Sequence, residues 1–82
     1  MGSFDFNKLI RDTTYSMYLT YDASNNPVYI GEAVPGSATS DAVWRIKKLS
    51  ADASNNITSI LWADGTAKFI KIWDNRSDYT YS

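Results

Sequence analysis

The chain contains no cysteine and no histidine. Without cysteine there is no disulfide and no thiolate zinc site. Without histidine the commonest metal ligand, the usual general base and the usual pH switch are all missing. A Ser-His-Asp arrangement is impossible, and no Ser-x-x-Lys pattern, phosphate-binding loop or dinucleotide fingerprint replaces it. Glu32 is the only glutamate, and no acid/base partner can be named for it. The residues therefore read as those of a protein that is not an enzyme, with no cofactor and no metal. No apolar run approaches the ~20 residues of a membrane span. The amino end, MGSFDFNKLIRD, lacks the basic region and apolar stretch of a signal peptide, so synthesis and folding in a cytoplasm are expected. Neither charge sign dominates: eight basic and nine acidic residues leave a net charge of −1.

What is present is a short chain rich in aromatics. Its 82 residues make one small domain, and a domain of that size has a thin core. Small domains compensate with disulfides, metals or oligomerisation, and here only the last remains. Three Trp, six Tyr and three Phe are many for one small core. Tyr and Trp are enriched at interfaces, which suggests a contact surface, although small β domains also use aromatics as filler.

Residues 1–12 read as an amino-terminal arm, extended or forming a short helical turn around Leu9 and Ile10, and residues 13–82 as a single antiparallel β domain. Residues 13–21 alternate: Tyr15, Met17, Leu19 and Tyr21 point one way, and Thr14, Ser16, Tyr18 and Thr20 the other. A turn at 22–27 leads to a second strand over 28–33. Gly31, in its middle, predicts a bulge or the close approach of another backbone. The small residues of 35–42 predict a connecting loop that ends in a short helical turn around Ser40 to Val43.

The stretch 44–73 predicts three further strands, each with one tryptophan. Trp44 and Ile46 share a face and Leu49 falls on the other, which predicts a bulge near Lys47 and Lys48. Asp64-Gly65 predicts a type I′ hairpin joining strands at 57–63 and 66–73. Both of those strands are apolar on two faces, which calls for two layers of cover, either from a sheet that curls into a small barrel or sandwich or from another chain against one face. The expected fold is thus all-β: an antiparallel meander of about five strands curled into a barrel or sandwich. The tail, 74–82, predicts a turn and a short edge segment.

A motif recurs. Asp22-Ala23-Ser24-Asn25-Asn26 returns thirty residues later as Asp52-Ala53-Ser54-Asn55-Asn56, which suggests two similar hairpins packed together. Three oxygen side chains at alternate positions also open a calcium loop, but neither copy has that loop's glycine or its closing glutamate. Turn chemistry alone explains the motif.

The run Tyr29-Ile30-Gly31-Glu32-Ala33, Pro35-Gly36-Ser37-Ala38-Thr39-Ser40 and Trp44-Arg45-Ile46 resembles small virion proteins of tailed bacteriophages. So does Asp52 to Asn56 with Ile57, Trp62 and Asp64-Gly65, followed by Ile72-Trp73-Asp74-Asn75-Arg76. The resemblance spans most of 15–82 and rests on the order of short segments. It implies a structural protein of the virion, made in the bacterial host cytoplasm, that associates with itself and with other capsid or tail proteins. It transfers no functional residue.

The candidate interface residues are Phe4, Phe6, Tyr18, Trp62 and Trp73. Two other readings are open. A module binding glycan on a host surface would use exposed Trp and Tyr as stacking platforms. A small barrel binding single-stranded nucleic acid would use Arg45, Lys47 and Lys48, with Lys68 and Lys71 across the meander. The balanced charge argues against nucleic acid, and neither it nor a membrane is expected as a partner.

Overall fold

The computed structural model describes residues 15–82. Strand β1 (Ser16–Tyr21), β2 (Pro27–Ala33), β3 (Ala42–Ala51) and β4 (Ile57–Trp62) form an antiparallel sheet in that order. A two-residue strand, β5 (Lys71–Ile72), pairs with the start of β3, and a 3₁₀ helix (Trp73–Asp78) follows it. The all-β expectation holds. The sheet itself is open, with β1 and β4 as its edges, so no barrel closes within the described residues.

The two hairpins share one turn design. Asp22 N–H donates to Asn26 O at 2.9 Å, and Asn25 N–H donates back to Asp22 O at 3.0 Å. The equivalent bonds at Asp52, Asn55 and Asn56 are 2.9 and 3.0 Å. This is a type I turn followed by a left-handed residue, a common hairpin closure. Asn25 and Asn55 hold that position with φ of 64° and 65°, which asparagine tolerates better than most residues. Each aspartate tightens its turn, with Oδ1 accepting two main-chain N–H groups, from Ser24 and Asn26 or from Ser54 and Asn56.

The ladders match as well. Thr20↔Tyr29, Leu19↔Ile30 and Tyr18↔Gly31 in the first hairpin correspond to Ser50↔Ser59, Leu49↔Ile60 and Lys48↔Leu61 in the second. The register shifts at equivalent places, Thr20/Tyr21 and Ser50/Ala51. The repeat is therefore structural as well as sequential.

One face of the sheet carries the core. Ala33, Trp44, Ile46, Ala63 and Trp73 are buried together, with Tyr29, Tyr79 and Tyr81 packed against them. Tyr18 joins from β1, its ring centroid 5.1 Å from that of Trp44 and 6.1 Å from that of Trp73. The cover comes from the 3₁₀ helix and the tail. The tail returns to β4: Trp62 and Ser82 exchange main-chain bonds of 3.0 and 3.1 Å, and Asp64 N–H donates to Thr80 O.

Four local expectations change. The bulge expected at Lys47 and Lys48 is absent, since pairing with β2 runs unbroken from Arg45 to Lys48. Leu49 sits on the face opposite Trp44 because the strand simply alternates, and the irregularities in this strand lie instead at its ends, between Ala42 and Trp44 and between Ser50 and Ala51. Gly31 accommodates indole rings and not a backbone. No helical turn forms over Ser40 to Val43; β3 already begins at Ala42 after a turn in which Asp41 N–H donates to Ala38 O at 3.1 Å.

The fourth concerns the second hairpin of the expected meander. Asp64 and Gly65 do take positive φ, 52° and 68°, and Thr66 N–H closes the turn on Ala63 O at 3.2 Å. However, the outer edge of β4 at that end is occupied by the tail. Residues 66–70 therefore leave the sheet, and the expected strand shrinks to Lys71–Ile72 on β3. This route delivers Trp73 to the core.

Candidate interaction surface

The second face is built by the register. Leu19, Ile30, Lys47 and Trp62 stand opposite one another across all four strands. Beside that row lie Met17, Glu32 and Arg45 on one side, and Leu49 and Ile60 on the other. Met17 is 51% exposed, Leu19 39% and Ile60 55%. Solvated sheet faces normally alternate to polar side chains, and three large aliphatics on this one depart from that pattern.

One end of this face is organised around Arg45. Its Nε donates to Glu32 Oε1 at 2.9 Å. Its guanidinium lies 4.7 Å from the Phe69 ring, 5.5 Å from Tyr15 and 5.8 Å from Trp62. Phe69 also stacks on Tyr15 at 5.2 Å. The arginine thus fastens segment 66–70 onto the sheet, a use of guanidinium stacking that lysine could not reproduce.

The basic residues singled out in the sequence do not form one patch. Arg45 and Lys47 share the second face, and Lys48 points to the core face, where its Nζ is 5.9 Å from the Tyr29 ring and 6.0 Å from Tyr81. Lys71 Nζ is engaged by Asp64 Oδ2 at 2.6 Å. Period-2 alternation separates what sequence proximity suggested.

The candidate interface residues also separate. Phe4 and Phe6, with the rest of the expected arm, lie outside the described residues. Trp73 is placed in the core at 5% exposure, where it can offer little area to a partner. Tyr18 is half in the core and half open at the β1 edge. Trp62 lies on the second face with Lys47 Nζ 5.2 Å from its ring. Met17, Leu19 and Ile60 were missed because each belongs to an alternating strand whose buried side the sequence does not name.

Among the described residues, three ionisable groups depart from their ordinary values. The hydrogen bond from Lys71 lowers the Asp64 carboxyl, and the main-chain donor at Asn56 lowers that of Asp52. Burial pushes the Tyr81 phenol up. A lowered carboxyl stabilises the fold above its unfolded value of 3.8, and that contribution is lost as pH falls through the lower folded value. A raised phenol works in the other direction: its contribution is intact below 10.0 and is lost as pH rises above it. Melting temperature should therefore fall both below about pH 4 and above about pH 10. Asp64→Asn should flatten the acid limb, and parallel acid limbs for the two proteins would refute the assignment.

Compared with known protein families, curated proteins and solved structures, the chain matches none.

Proposed function

We propose that this chain is a non-enzymatic structural component of a bacteriophage particle, present in many copies, which works by associating with itself and with neighbouring capsid or tail proteins. The observation that carries this reading is the exposure of Met17, Leu19 and Ile60 on the face of the sheet opposite the buried Trp44 and Trp73 cluster. An apolar surface on a rigid sheet is the ordinary means of non-covalent assembly. The resemblance to small virion proteins supplies the setting, a virion assembled in the bacterial cytoplasm. On this reading the second layer or closed barrel expected for the sequence is completed between copies.

The test is solution mass by light scattering across a concentration series, for the wild type and for Met17→Asp and Ile60→Asp. The wild type should form a discrete oligomer or a growing polymer. Each variant should shift to monomer while its circular dichroism is retained, because exposed substitutions cost a monomer only about 0.5 kcal/mol. A wild type that stays monomeric throughout, or variants that assemble equally well, would overturn the reading.

A further inference from the structure

The contact between the two hairpins inside one chain has a counterpart on the outer side of each hairpin. Hairpin β1–β2 lies beside hairpin β3–β4 through the pairs Tyr29↔Lys48, Ile30↔Lys47 and Gly31↔Ile46. The turns meet as well, with Asn26 Nδ2 donating to Asn55 Oδ1 at 2.9 Å. Because the hairpins are repeats offset by thirty residues, the outer side of each carries the counterpart of what the other uses at this junction. Asn56 is the counterpart of Asn26, and Asn25 of Asn55. On the outer strands, Ile60 is the counterpart of Ile30, and Leu19 of Leu49.

Burial follows the same logic. Leu49, on the interior strand β3, is 9% exposed, whereas its counterpart Leu19, on the outer strand, is 39% exposed. Ile30 is half-buried, whereas Ile60 is exposed. In both comparisons the outer member is the more exposed.

The two edges are also fit to pair. Neither β1, SMYLTY, nor β4, ITSILW, contains a charge or a proline, the usual guards of an exposed edge. Tyr29 N–H points toward β1, where Thr20 Oγ1 accepts it. By alternation the main-chain groups of Met17 and Leu19 then point outward. Ala63 N–H donates inward to Ile46 O, and Trp62 bonds outward to Ser82. The main-chain groups of Ile60 therefore also point outward. With four strands alternating in direction, β1 and β4 run antiparallel, so a copy added in the same orientation presents β1 antiparallel to β4.

We infer that copies of this chain join head to tail through their sheet edges, with β4 of one pairing with β1 of the next in the register of the internal β2–β3 junction. This rests on the assembly reading above and adds to its apolar face the two sheet edges that flank it, with a second copy of this chain as the partner. The register shifted by thirty residues sets Ser59 opposite Tyr18 of the next copy, Ile60 opposite Met17 and Leu61 opposite Ser16. Pairing stops there, because Ser82 already occupies the edge at Trp62. Asn56 of one copy then reaches Asn25 of the next, as Asn26 reaches Asn55 within the chain. A heterologous contact of this kind, repeated with the twist of the sheet, builds a ring or a helical filament.

The experiment compares Ile60→Pro with Ile60→Ala by light scattering, and follows residue-resolved amide exchange of the wild type below and above its assembly concentration. Alanine removes more of the side chain than proline does but keeps the outward N–H. Proline should therefore weaken association by about tenfold relative to alanine, the equivalent of a lost main-chain bond. The Met17 and Ile60 amides should exchange freely in the monomer and become protected in the assembly. This second measurement needs no variant, so a misfolded Ile60→Pro would not stall the test. Association with unprotected Met17 and Ile60 amides, or with alanine as damaging as proline, would overturn edge pairing and leave the assembly reading standing. No association of the wild type would overturn both.

Discussion

Gly31→Ala is expected to destabilise the protein by about 1–3 kcal/mol, the usual range for overpacking a filled core. A Cβ on Gly31 would collide with Trp73 Cε3 and lie 2.6 Å from Trp73 Cζ3 and 3.2 Å from Trp44 Cε3. Neither indole can retreat easily. Trp44 is completely buried and its Nε1–H is committed to Ala38 O at 3.0 Å. Trp73 is held between the sheet and the guanidinium of Arg76, 4.7 Å from its ring. The sign of the effect is diagnostic. Strand propensity alone favours alanine over glycine by about 0.5–1 kcal/mol, so a Gly31 that merely weakened its strand would give a more stable variant. Urea unfolding decides between the two, and a midpoint equal to or above that of the wild type would refute the close approach.

Trp44→Ala should cost more. Truncating a buried tryptophan typically loses about 3–5 kcal/mol, and here it also leaves the Ala38 carbonyl without its indole donor. At about 0.05–0.15 kcal/mol per residue, a domain of this size holds only ~4–12 kcal/mol in total. The variant is expected to be unfolded or barely folded at 37 °C, with collapsed near-ultraviolet circular dichroism and poor amide dispersion. Trp62→Ala is the contrast: that ring is only half-buried and makes cation contacts with Arg45 and Lys47, so cooperative unfolding should survive. If Trp44→Ala unfolded as cooperatively and as late as Trp62→Ala, the core would have to be centred elsewhere.

Much of this was legible in the residues. Alternation over 13–21 and 28–33 marked the first hairpin, and the recurrence of Asp-Ala-Ser-Asn-Asn announced that a second would resemble it. The turn sequence acts locally: an aspartate that accepts two nearby N–H groups and an asparagine that tolerates positive φ need no distant partner. Gly31 was recognisable as a close-approach position, although not what approached it. The apolar character of both faces of β4 was visible too, and it pointed to cover that one chain does not supply within the described residues.

What the residues did not disclose was long-range. Asp64-Gly65 specified a tight turn correctly, but whether the following segment paired with β4 depended on competition with the tail for one strand edge. Nor could alternation say which side of β1 is buried; that required Trp73 to arrive from forty residues beyond β2 and stack with Tyr18 and Trp44. The basic residues from Arg45 to Lys48 looked like a cluster until the pleat sent them to opposite faces. Sequence by itself determined the all-β class, both Asp-Ala-Ser-Asn-Asn turns and the hairpins they close, because those depend on short-range hydrogen bonding and period-2 alternation. Only the tertiary structure decided which face became the core and which strands lie at the edges of the described sheet, because burying the Trp44 and Trp73 indoles is a gain shared among segments far apart in the chain.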